Sequence, residues 1–89
     1  MSMNQSVSTW IHENNFPLSL VDELNNFGIK NVSDLTTMNS KVVVITLENY
    51  IYKLPLFTND KTLTINFKVA VLDLFKVYIL LIICVQNKY

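Results

Sequence analysis

The sequence predicts an all-α domain, a small bundle of five helices whose last helix is long. Three observations carry this. The chain of 89 residues holds one glycine and two prolines, too few breakers for a sheet with many tight turns but enough for helices joined by short connections. Its apolar fraction of 51% is far above that of a segment unable to bury a core. Over most of its length, apolar residues recur at intervals of three and four, the helical spacing. The length is that of a single domain.

Residues 1–6 are expected to form a flexible N-terminus and residues 7–76 the helical domain. Ser6 or Ser8 caps a short first helix through Trp10 and Ile11, because a serine hydroxyl accepts from the free N–H groups of a first turn. The run NNF breaks that helix. Pro17 suits the first turn of a second one, where its missing N–H costs nothing. Leu20, Val21, Leu24 and Phe27 then share a face, with Asp22 and Glu23 on the wet side. Gly28 ends this helix as a left-handed residue. After the turn IKN, Asn31 or Ser33 caps a short third helix around Asp34, Leu35 and Met38.

The run KVVVIT (41–46) is β-branched, but a lone strand has nothing to pair with in so short a chain. Val43, Leu47, Tyr50, Ile51 and Leu54 fit a fourth helix that begins near Asn39 or Thr46, runs to Leu54 and is stopped by Pro55. LFTND (56–60) reads as a turn. Asp60, Thr62 or Thr64 caps the fifth and longest helix, where Leu63, Phe67, Val71, Leu74, Tyr78 and Leu81 form a stripe with Lys68, Asp73 and Lys76 off it.

Charge and reactive residues exclude several classes. Seven lysines balance seven acids and there is no arginine, so the basic excess that releases counterions from a phosphate backbone is missing. The only histidine, His12, reads as a surface residue. Cys84, the only cysteine, reads as a small buried apolar residue. One His and one Cys so far apart do not make a structural zinc site, and one glycine does not make a phosphate loop. No metal, cofactor or small-molecule substrate is expected, and no enzymatic activity. The start of the chain lacks a charged n-region and an apolar h-region, so a reducing, cytoplasmic setting is expected.

Residues 7–35, VSTWIHENNFPLSLVDELNNFGIKNVSDL, resemble the first half of a sterile alpha motif (SAM) domain. Trp10-Ile11, Phe16, Leu20, Leu24, Phe27, Ile29 and Leu35 occupy the family's places, TLENYIYKL (46–54) is similar to its fourth helix, and TLTINFKVAVLDLF (62–75) to its final one. The sequence departs from the pattern in three places. NSKVVVI is extra between the third and fourth helices. Leu54-Pro55-Leu56 replaces a Leu-Gly-Ile turn. The basic pair that often opens the last helix is absent at residues 64–66. A different five-helix bundle, death-like, is the alternative fold.

The resemblance implies a core of Trp10, Leu20, Leu24, Phe27, Ile29, Leu35, Leu54, Phe67, Val71 and Leu74. It also implies head-to-tail association with another SAM domain or with a second copy. Asp34 and Glu48 would lie on an acidic mid-loop surface, Lys61 and Lys68 on a basic surface at the start of the last helix. The function implied is that of an interaction module in a signalling or scaffold protein. RNA is not the expected partner, with two lysines and no arginine at that end.

The closing run, residues 77–85, is unbroken apolar sequence. As helix its nine residues span about 14 Å against about 30 Å of hydrocarbon, and lengthening it upstream takes in Asp73 and Lys76, so a transmembrane anchor is not expected. Residues 77–89 are either an apolar extension of the last helix or a non-native tail. Phe, Tyr, Met, Ile, Asn and Lys supply 38 of the 89 residues, an AT-rich codon bias under which unspliced intron could be translated. An exposed apolar run also makes a small helical protein bound at a membrane surface the alternative function.

Overall fold

The computed structural model describes residues 5–37 and 40–86, without the side chains of residues 37, 40, 82 and 84–86. The expectations for residues 1–4, for Met38 and for the burial of Cys84 fall outside that part. Among the described residues there are six α-helices and no strand: α1 (Val7–Glu13), α2 (Ser19–Asn26), α3 (Val32–Thr37), α4 (Ser40–Asn49), α5 (Pro55–Thr58) and α6 (Lys61–Gln86), with a 3₁₀ turn at Ile51–Lys53 between α4 and α5. The fold is all-α with a long C-terminal helix.

The first two helices end in the same way. At the end of α1, Asn15 takes a left-handed φ of 59°, and the N–H groups of Asn15 and Phe16 donate to the carbonyls of His12 and Ile11 at 3.1 and 3.0 Å. At the end of α2, Gly28 has φ 81°, and the N–H groups of Gly28 and Ile29 donate to Asn25 and Leu24, both at 3.0 Å. Both are Schellman motifs, which satisfy the last carbonyls and fold the next apolar residue back on the helix. Phe16 and Ile29 are buried in consequence.

Ser6 caps α1, its Oγ accepting from the N–H of Thr9 at 3.2 Å. Gln5 and Ser6 do not form part of a loose terminus: Val7 N–H donates to the Lys30 carbonyl and Val32 N–H to the Gln5 carbonyl, both at 2.9 Å, so the start of the chain is clamped to the entrance of α3.

The β-branched run is helical. α4 starts close to Asn39, the earlier of the two expected positions, and buries Val43 and Leu47 while leaving Val42, Val44 and Ile45 exposed. Burial of one face outweighs the modest helix penalty of β-branched residues. The helix stops at Asn49 rather than Leu54. A residue before proline is restricted to extended backbone, and Leu54 has φ −62°, ψ 144°, so the chain tightens into the 3₁₀ turn first. Pro55 then opens a helix instead of closing one, at the first helical position where proline is preferred. LFTND is therefore not a plain turn: Leu56–Thr58 lie in α5, and Phe57 is in the core.

Asp60 begins α6, its Oδ1 accepting from the Leu63 N–H at 3.0 Å. Thr64 Oγ1 donates to the Phe57 carbonyl at 2.7 Å, binding α5 to α6. Phe67, Val71 and Leu74 are buried and Phe75 is half-buried; Tyr78 is half-buried and Leu81 is exposed. The bundle has run out by that point. A helix of 26 residues is about 39 Å long, in a molecule of 47 × 25 × 23 Å.

Trp10, Leu20, Leu24, Ile29, Leu35, Phe67, Val71 and Leu74 lie in one core with Val7, Ile11, Phe16, Val32, Val43, Leu47, Ile51 and Phe57. Leu54 is half-buried at its edge. Phe27 is outside it, 39% exposed. As the C-cap of α2 it has left the helical path (φ −99°, ψ 12°), Ile29 packs in its stead, and its ring stacks on the exposed Tyr50 at 5.2 Å.

Phe67→Ala empties the centre of this core and is expected to cost about 3–5 kcal/mol. Phe27→Ala, at the surface, is expected to cost under about 1 kcal/mol. Urea unfolding followed by circular dichroism separates the two, and equal losses would contradict the packing described.

Candidate interaction site

A groove between α4 and α6 has a volume of about 270 Å³. One wall is Val44, Leu47 and Glu48 of α4; the other is Lys68, Val71, Leu72 and Phe75 of α6; Tyr52, from the 3₁₀ turn, lies between them. Leu47 and Val71 are core residues whose edges form the floor, while Val44 and Leu72 are largely exposed. The lining is apolar except for one acid, one ammonium and one phenol.

Tyr52 is held from beneath by the core. Its ring meets Phe57 edge-on at 5.9 Å and Phe67 at 6.1 Å. Above it the Lys68 ammonium sits 4.7 Å from the ring centroid, a cation–π contact of about 0.5–1 kcal/mol at an exposed site. Burial, and secondarily the Glu48 carboxylate, push the phenol up from 10.0 to about 12. The phenol is thus neutral and available as a hydrogen-bond donor and acceptor at any physiological pH.

The four charged residues implied by the resemblance are differently placed. Glu48 and Lys68, assigned to two opposite surfaces, line one groove on either side of Tyr52. Nothing in the sequence signals this, because Tyr52 lies in the segment read as plain helix and the two charges come to line one groove only through the tertiary arrangement of α4 and α6. Asp34 is occupied locally: its Oδ2 accepts from the backbone N–H groups of Lys30 and Asn31, both at 3.0 Å. This is the reach-back half of a capping box, an acid in the first turn satisfying N–H groups ahead of the helix. Lys61 is exposed at the first residue of α6.

His12 is exposed on α1. Among the described residues no group of three or more His, Cys, Asp or Glu is placed to hold a metal ion, and no helix is long and apolar enough to cross a membrane. The groove offers apolar area, a donor and two opposite charges, which is the chemistry of recognition.

The raised phenol pKa fixes a pH dependence. Between pH 10 and 12 the unfolded chain loses the Tyr52 proton and the folded one keeps it, so stability is full below that window and falls as pH rises through it. Phenolate absorbance, taken as the difference between the protein and its Tyr52→Phe variant, is expected to titrate near 12. Glu48→Gln should lower that midpoint but leave it above 10, since burial remains. A midpoint at 10 in the unaltered protein would contradict the geometry.

Comparison of the chain with protein-family models, with the curated proteins and with the solved structures finds no match.

Proposed function

We propose that this domain is a protein–protein interaction module, SAM-like in its helix order, which associates with a second copy or with another SAM domain in a cytoplasmic signalling or scaffold protein. The observation that carries the reading is the apolar surface left on two neighbouring helices. Val42, Val44 and Ile45 of α4 and Ile65, Val69 and Leu72 of α6 are each about half exposed or more. Val44 and Leu72 face each other across the groove, and exposed apolar side chains gathered around such a groove are the composition of a surface that a partner covers. The groove between the two helices adds the charged and hydrogen-bonding groups that orient a partner.

Sedimentation velocity across a concentration series tests this. The expected result is an average mass that rises with concentration, or a stable complex with a SAM domain added in trans, and weaker association in the Lys61→Glu, Lys68→Glu double variant with its helical circular dichroism unchanged. A monomer at every concentration that takes up no SAM partner overturns the reading.

One observation favours the second reading, a small helical protein at a membrane surface. Beyond the bundle, Val77, Ile79, Leu80, Leu81 and Ile83 of α6 are all exposed, so the end of the helix offers apolar side chains around much of its circumference. Flotation with phosphatidylcholine vesicles, combined with a monomeric state in their absence, would support that reading against the first.

A further inference from the structure

We infer that the outer face of α6 is the seam of a parallel, in-register, two-stranded coiled coil with a second copy of this chain. The inference rests on the interaction reading above and names its partner and its surface.

α6 has two apolar faces. The inner one, Phe67, Val71 and Leu74, is spent on the core. On the opposite side Ile65, Val69, Leu72, Ile79 and Ile83 are each 44–61% exposed. With Lys76 they follow intervals of four, three, four, three and four. Ile65, Val69 and Leu72 are spaced as d, a and d of a heptad repeat, the pattern that keeps one stripe facing a partner helix along a supercoil. Residues 77–85 are apolar throughout, so Ile79 and Ile83 extend that stripe without setting its phase. The stripe covers about 27 Å of helix.

The flanking charges select the partner. Lys68 and Asp73 fall at g and at the following e, on opposite sides of the stripe. In a parallel, in-register pair each g residue faces the partner's next e residue, so the Lys68 of each copy meets the Asp73 of the other, twice by symmetry. An antiparallel pair sets g against g and e against e, and loses both matches. Asp73 is exposed, and its carboxylate has no ion-pair partner among the described residues. Lys68 is held on its flank of the helix by the Tyr52 ring.

The a and d residues select the number of strands. Val69 and Ile83, β-branched at a, and Leu72 at d suit two strands, whereas Ile65 and Ile79 at d suit three or four, so the aliphatic residues do not decide and the choice falls to Lys76. Lys76 at the remaining a position lies at the margin of a two-stranded seam, where its stem packs and its ammonium reaches water. In a seam of three or four strands the same ammonium groups would be enclosed. A lone lysine at a weakens the pair and fixes its register.

The test combines trapping with charge exchange, read by sedimentation and non-reducing electrophoresis. In a Cys84→Ala background, Val69→Cys places one thiol at an a position. Parallel, in-register copies bring two such Cα atoms within the span of a disulfide, about 4.4–6.8 Å, so mild oxidation of the native protein is expected to link them into dimers. Asp73→Lys should weaken dimerisation roughly tenfold and Asp73→Lys with Lys68→Glu should restore it, while Lys61→Glu leaves it within about twofold. Lys76→Leu should tighten it about tenfold or more. Leu72→Glu, at an exposed position, should abolish it with the helical circular dichroism retained. Association that persists with no Val69→Cys link and no response to Asp73→Lys overturns the seam and leaves the interaction reading standing. A monomer under all conditions that also takes up no SAM partner overturns both.

Discussion

The Phe67 ring is the contact on which the rest of the molecule depends. Four aromatic rings surround it: Trp10 at 5.8 Å, Phe16 at 5.3 Å, Tyr52 at 6.1 Å and Phe57 at 5.1 Å. Each comes from a different part of the chain, namely α1, the loop after it, the 3₁₀ turn and α5. Tilted and edge-on pairs add about 0.5–1.5 kcal/mol each beyond the area they bury, and they also fix angles, since a ring quadrupole rejects a face-to-face stack. A small domain has few core residues with which to set the rotation of its longest helix. Here one side chain does so, and every other position on α6 follows: Lys68 turns toward the α4 groove, and the residues opposite Phe67 turn to the outside.

The connections between helices are set by local chemistry that is partly legible in the sequence. Gly28 announces a left-handed C′ position and has that role. Asn15 serves the same end less visibly, because asparagine tolerates the left-handed region without requiring it. The misplacement of Phe27 has the same origin. Intervals of four and three put it on the face of Leu20 and Leu24, but periodicity holds only within the helix. A Schellman motif discards the C-cap side chain and substitutes the residue two positions on, so Ile29 packs instead. Pro55 is misread for a comparable reason. Proline forbids a helix through the residue before it and favours one starting at itself, and only the first half of that rule is apparent when the following run, LFTND, is short and partly polar. Phe57 is lost from the core with it.

The groove is less legible than the helices. Glu48, Tyr52 and Lys68 lie on three separate elements, and their lining of one groove depends on how α3 and the 3₁₀ turn hold α4 beside α6, a tertiary fact with no local signature. Tyr52 is further concealed by the change from α-helix to 3₁₀ turn between Asn49 and Ile51, which rotates its side chain away from the direction that an uninterrupted helix would give. The resemblance to SAM domains sorts acids and lysines by order along the chain. Sorting by order assigns Glu48 and Lys68 to surfaces that face different neighbours, whereas packing puts them on one.

The apolar C-terminal run takes its ambiguity from α6 having two apolar faces rather than one. A helix with a single stripe shows a strong contrast between its sides. In α6 the inner stripe is needed as far as Phe75 and the outer one runs from Ile65 to Ile83, so over their overlap the sequence is apolar on opposite sides and polar only along the flanks, where Lys68 and Asp73 stand. Past Phe75 the inner stripe has no bundle to cover, yet Tyr78 and Leu81 still occupy it, and the sequence reads as apolar all round. The outer stripe is interrupted at that boundary by Lys76. Ile79 and Ile83 continue the register of Ile65, Val69 and Leu72 across Lys76 without an inserted or missing residue. Because residues 77–85 are apolar throughout, they would meet a seam in any register, and the phase of the outer stripe is set upstream by Ile65, Val69 and Leu72 and by the charges of Lys68 and Asp73 that flank them.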